Sequence, residues 1–91
     1  MNARAHIVIR GRVQGVFYRS FTQGVARSLG LSGWVRNMHD GSVEAVFEGE
    51  KKKIEEGIRQ LRQGPPYARV DDLETEWQPF SGEFAGFSMR Y

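Results

Sequence analysis

Ala5-His6-Ile7-Val8-Ile9-Arg10-Gly11-Arg12-Val13-Gln14-Gly15-Val16-Phe17-Tyr18-Arg19 changes its periodicity halfway along. The β-branched run over 5–10 predicts a strand that passes into a loop at Gly11-Arg12-Val13-Gln14-Gly15. From Tyr18 the apolar positions Tyr18, Phe21, Val25 and Leu29 share one face of a helix beginning near Arg19. Gly30 reads as its stop, with Leu31 the apolar residue expected just past such a cap. Gly24, inside the helix, costs about 1 kcal/mol relative to Ala unless close packing requires it.

Outward from this unit, Trp34-Val35-Arg36 is strand-like and Asp40-Gly41 is a hairpin turn. Val43, Ala45 and Phe47 alternate with Ser42, Glu44 and Glu48, which predicts a returning strand with one buried face. A second helix opens at Glu50, buries Ile54, Ile58 and Leu61, and ends at Gly64-Pro65-Pro66. Val70 to Trp77 alternates apart from a phase slip at Asp71-Asp72, the mark of a strand with a bulge and a wet acidic face. Gln78 to Gly86 is a loop, and Phe87, Met89 and Tyr91 form a last short strand. The order β-α-β-β-α-β-β is that of an α+β, ferredoxin-like split βαβ sandwich with an extra C-terminal strand. Its two helices are expected on one face of an antiparallel sheet, in a single domain over 1–91.

Composition narrows the chemistry. The chain has 91 residues, of which 40% are hydrophobic, enough for one core. A net charge of +2 favours small anionic ligands over long polyanions. The absence of cysteine excludes a thiol nucleophile, a thiolate zinc site and a disulfide framework. Apolar runs are too short for a membrane span or a signal segment, so a soluble, cytoplasmic protein with no membrane partner is expected.

The loop between the first strand and helix carries the strongest chemical signal. Its glycines permit backbone turns that aim successive N–H groups inward, and the helix N-terminus adds about half a positive charge there. Arg19 at that end opposes the macrodipole by roughly 0.3–1 kcal/mol unless an anion sits beside it. A tetrahedral phosphate or sulfate fits; so does a bland reading, in which the glycines only make a tight turn and Arg19 is solvated. The loop has neither the Walker nor the dinucleotide glycine pattern. Asn37 by itself reads as a turn residue. An RNA-binding ferredoxin-like module is disfavoured, because Ser42 to Glu48 lacks the Arg/Lys-Gly-aromatic pattern and exposes acid.

Two stretches together are more specific. Gly-Arg-Val-Gln-Gly-Val-Phe-Tyr-Arg over 11–19 and Gly-Trp-Val-Arg-Asn-x-x-x-Gly-x-Val-x-x-x-x-x-Gly over 33–49 resemble the acylphosphatase family. The resemblance extends to the Gly-Pro-Pro after the second helix and to the ending Gly86-Phe87-Ser88-Met89-Arg90-Tyr91. It implies hydrolysis of acyl phosphates to a carboxylate and inorganic phosphate, with Arg19 gripping the phosphoryl group and Asn37 orienting the attacking water. The backbone of Gln14, Gly15, Val16, Phe17, Tyr18 and Arg19 is then the phosphate cradle. Tyr18 departs from the phenylalanine usual in the family, which adds a hydroxyl.

No Ser-His-Asp set, metal-ligand pair or paired carboxylate falls in these motifs, so direct water attack without metal or cofactor is expected, the substrate's phosphate oxygens taking the proton. Phosphate is the expected product and competitive inhibitor, the protein a monomer that binds no nucleic acid. The alternative is a non-catalytic phosphate-binding or sensor module on the same fold. Trp34, Trp77, Phe21, Phe47 and Phe87 read as core, His6 and His39 as surface or packing residues, and Lys51-Lys52-Lys53 as a solvated helix face. Arg10, Arg12 and Arg36 are candidates for making the cleft's surroundings positive.

Overall fold

In a computed structural model describing Met1–Tyr91, seven elements follow the expected order. They are β1 (Asn2–Arg12), α1 (Tyr18–Ser28), β2 (Ser32–Asn37), β3 (Val43–Glu50), α2 (Lys51–Gln63), β4 (Arg69–Gln78) and β5 (Phe87–Arg90). The sheet order is β4-β1-β3-β2-β5. The first four strands pair antiparallel, as expected. The sheet as a whole is mixed, because β5 pairs parallel to β2, Gly33 opposite Phe87. The cause is topological: β4 and β5 lie at opposite edges, and the segment between them crosses the sheet before β5 begins.

Gly11 and Arg12, read as loop, belong to β1 and pair with Val70 and Arg69. The bulge falls where the phase slip in β4 placed it: Arg10 faces Asp72 and Gly11 faces Val70, leaving Asp71 as the extra residue. α1 ends in a Schellman cap, with Leu31 N–H donating to Ala26 O at 2.8 Å, Gly30 N–H to Arg27 O at 3.3 Å, and Leu31 buried. Gly24 has no atom of another element near the position a Cβ would take, so packing does not require it. Gly57 differs, since a Cβ there would stand 2.9 Å from the Phe47 ring, and its absence lets α2 lie close on β3.

Alternation along β1 sends Ala5, Ile7 and Ile9 toward the helices, where they meet Val35, Val43, Ala45, Phe47, Ile54 and Leu61 in one core. Burying each large aliphatic chain contributes about 1.5–3 kcal/mol. Phe47 and Phe87 pack at 5.7 Å between ring centroids, and Phe21 is partly buried against the same cluster. The two tryptophans are not core. Trp34 points to the helix-free face, where the guanidinium carbons of Arg90 and Arg36 lie 4.5 and 5.5 Å from its ring centroid. Trp77 is 43% exposed at the margin of the helix face, with the Lys51 ammonium 5.1 Å from its ring.

The hairpin also differs from its reading: both faces of β3 are buried, because it is the central strand. On the helix-free face Glu44 meets His6 Nε2 and Arg36 Nε, each at 2.6 Å. Glu48 accepts from Ser81 N–H and Oγ, Gly82 N–H and Arg4 Nη1 at 2.7–3.2 Å. These bonds tie the 79–86 crossover to the sheet. Burial pushes both carboxyls up, but the donors outweigh it and hold both below the usual glutamate value. Arg10 is likewise paired, with Asp72 and Glu74 of β4. No helix is long and apolar enough to cross a membrane.

A depressed folded-state pKa means that stability from Glu44 and Glu48 is fully present above the unfolded value of 4.5 and is lost as pH falls through the folded value. Urea titrations of Glu48→Gln should show a loss of about 1–3 kcal/mol at neutral pH. They should also show a shallower further decline under acid than in the parent protein; equal acid slopes contradict the assignment. Gly24→Ala should gain about 1 kcal/mol, raising Tm by roughly 4–8 °C in a thermal melt.

Candidate active site

The loop joining β1 to α1 is pinned by two apolar pegs, Val13 and Val16, both buried in the core. Between and after them Gly15 (φ 73°) and Phe17 (φ 63°) take left-handed backbone conformations. Such alternation turns consecutive N–H groups toward one side. Phe17 is the N-cap of α1, its carbonyl accepting from Phe21 N–H at 3.0 Å. No side chain caps that helix end and no acidic residue stands in its first turn. The first N–H groups of α1 thus keep their positive end available to a ligand.

Arg19 stands in that first turn. Its Nη1 donates to Arg90 O of β5 at 2.9 Å, and its guanidinium carbon lies 4.6 Å from the Tyr91 ring centroid. Tyr18, one residue earlier, is buried, and its hydroxyl donates to Leu61 O at 2.5 Å. That carbonyl belongs to the last turn of α2, where helix carbonyls lack partners of their own. The departure from phenylalanine is thereby absorbed: the hydroxyl binds α2, and burial pushes its pKa up.

Asn37 closes β2 opposite Val43, on the face that Gly33 and Val35 share with the helices. It is exposed and lines, with Gly15, Phe17, Tyr18 and Arg19, one cleft of about 320 Å³. Gln14 and Val16 are not among the lining residues. Val16 is a core peg, and the Gln14 side chain donates to Met38 O at 2.7 Å and Ser42 O at 2.8 Å. Gln14 therefore bolts the loop to the β2–β3 turn that follows Asn37. The turn is closed by Met38 N–H to Ser42 O, and by Asp40 Oδ1 accepting from Ser42 N–H and Oγ.

Sequence reasoning missed Ser20, Met89 and Tyr91, which complete the cleft with Val13. Alternation along β5 puts Met89 and Tyr91 on one face, but nothing in it says that this strand lies beside β2. Arg10 and Arg36 do not make the surroundings positive: both are tied to carboxylates on the opposite face of the sheet. Arg19 is the one charged side chain lining the cleft, with no Asp, Glu or His side chain beside it. No three His, Cys, Asp or Glu side chains group anywhere as a metal cage, His6 pairing instead with Glu44. The donors present suit an oxyanion: guanidinium, helix N–H groups, a hydroxyl and a carboxamide.

The family model described as Acylphosphatase matches residues 5–89. An acylphosphatase of Pelotomaculum thermopropionicum is 49% identical, over 98% of this chain and 97% of its own length. One of Aeropyrum pernix is 54% identical, over 97% and 88%. The crystal structure of an acylphosphatase from Bacillus subtilis superposes over 100% of both chains with a TM-score of 0.94 at 33% identity. Matched from β1 to β5 in sequence and in fold, the chain belongs to the acylphosphatase family.

Proposed function

We propose that this cleft hydrolyses acyl phosphates by direct attack of water on phosphorus, in a cytoplasmic monomer needing neither metal nor cofactor. Family membership supports the reaction, and the observation that carries the mechanism is the cleft itself. An uncapped helix N-terminus with Arg19 in its first turn faces Asn37 across one small opening. Arg19 and the 14–19 backbone hold the phosphoryl oxygens, each charge-assisted hydrogen bond contributing about 1.5–3 kcal/mol. Arg90 O and the Tyr91 ring limit the guanidinium's freedom before substrate arrives.

Asn37 takes up no proton near neutrality, so its role is to direct a water, the carboxamide oxygen accepting from it. The water oxygen bonds to phosphorus as the bond from phosphorus to the acyl oxygen breaks. A phosphoryl oxygen takes the water's proton, and the acyl group leaves as carboxylate. The mixed anhydride supplies a good leaving group, so positioning and charge stabilisation carry the reaction. Inorganic phosphate keeps the contacts of the phosphoryl group and competes with substrate. The sensor alternative uses the same cradle but gives no work to Asn37.

Kinetics on benzoyl phosphate separate the two roles. Asn37→Ala should lower kcat about 100-fold while the inhibition constant for phosphate stays within about threefold. Arg19→Ala should weaken phosphate at least about tenfold as well as turnover, and Arg19→Lys should not restore it, because a point charge cannot replace the planar fork. Parental turnover in either variant removes the role given to that residue.

A further inference from the structure

Phe17 is the one residue other than glycine with a positive φ, and its side chain is 78% exposed. An L residue in this conformation is strained, and an exposed ring recovers little by burial. Glycine would meet the backbone requirement without strain. The ring's use therefore lies outside the fold, and its position says where. Phe17 borders the cleft that contains Arg19 and Asn37, and the other apolar side chains there include Met89 and Tyr91, the latter also fully exposed.

Asn37 belongs to the sheet wall of the cleft, whereas Phe17 belongs to the loop wall at the start of α1. In-line displacement puts the leaving carboxylate on the side of phosphorus away from the attacking water. With the water held at Asn37, the acyl group departs away from β2, and Phe17 is an exposed apolar side chain on a part of the cleft that β2 does not form. No charged side chain other than Arg19 lines the cleft to hold a polar acyl group. We propose that Phe17 forms the acyl wall of the site and selects acyl phosphates with an aromatic or bulky apolar acyl group over acetyl or carbamoyl phosphate. This rests on the hydrolytic reading above and deepens it.

The test compares kcat/KM for benzoyl and acetyl phosphate in the parent protein, Phe17→Gly and Phe17→Trp. Taking each variant's ratio relative to the parent cancels the unequal intrinsic reactivity of the two anhydrides. Phe17→Gly should lower the benzoyl-to-acetyl ratio about three- to tenfold, the worth of one aromatic contact. Phe17→Trp should hold the ratio near the parental value, and Tm of Phe17→Gly should not fall. A ratio unchanged in Phe17→Gly, or a matching fall in Tm that marks the ring as a packing residue, overturns the acyl wall while leaving hydrolysis standing. Failure of the parent protein to hydrolyse either anhydride overturns the hydrolytic reading itself.

Discussion

A guanidinium in the first turn of a helix whose N-terminus carries no capping side chain is an electrostatic conflict, and the rest of the site is arranged around it. Left alone, Arg19 and the positive end of α1 repel each other, and the first N–H groups of the helix lack acceptors. The fold does not relieve this with an acidic residue; it opposes it by aiming the guanidinium at the Arg90 carbonyl and stacking it on Tyr91. An oxyanion between the guanidinium and the helix end satisfies both. The place of β5 follows from this, since a short parallel strand beside β2 delivers that carbonyl and that ring to the cleft.

The two faces of the sheet divide the work. The helix side holds the core, the loop pegs Val13 and Val16, and the cleft. The other side is a layer of paired charges in which Glu44 and Glu48 are satisfied by groups from β1, β2 and the crossover. Arg10 and Arg36 are neutralised there, so within the cleft itself the positive groups are Arg19 and the helix end. The crossover bound by Glu48 leads directly into β5, so an ion-pair anchor on the far face helps to fix the strand that holds Arg19.

Most of the architecture was legible in the sequence because it is local. The alternation of Ala5, Ile7 and Ile9, the helix stops at Gly30 and Gly64, and the phase slip at Asp71 each report a period or a punctuation of the chain itself. What escaped depends on partners far along the chain. Glu44 and Glu48 alternate like water-facing residues, and only the approach of His6, Arg4 and Ser81 buries them. Trp34 and Trp77 look like core until the strand order sets one on the charged face and the other at a margin. The site divides the same way: Arg19 and Asn37 were marked by their motifs, whereas the Gln14 side chain works through two backbone carbonyls, which leave no trace in the sequence. The left-handed turn at Phe17 was invisible too, because that conformation normally calls for glycine.

The most direct test of the account is the rate of benzoyl phosphate hydrolysis by the purified protein with excess chelator, at low and at millimolar inorganic phosphate. Turnover that survives chelation and falls competitively with phosphate is the predicted result. Phosphate binding without turnover, or turnover abolished by the chelator, contradicts a hydrolase built from the Arg19 cradle and an Asn37-oriented water alone.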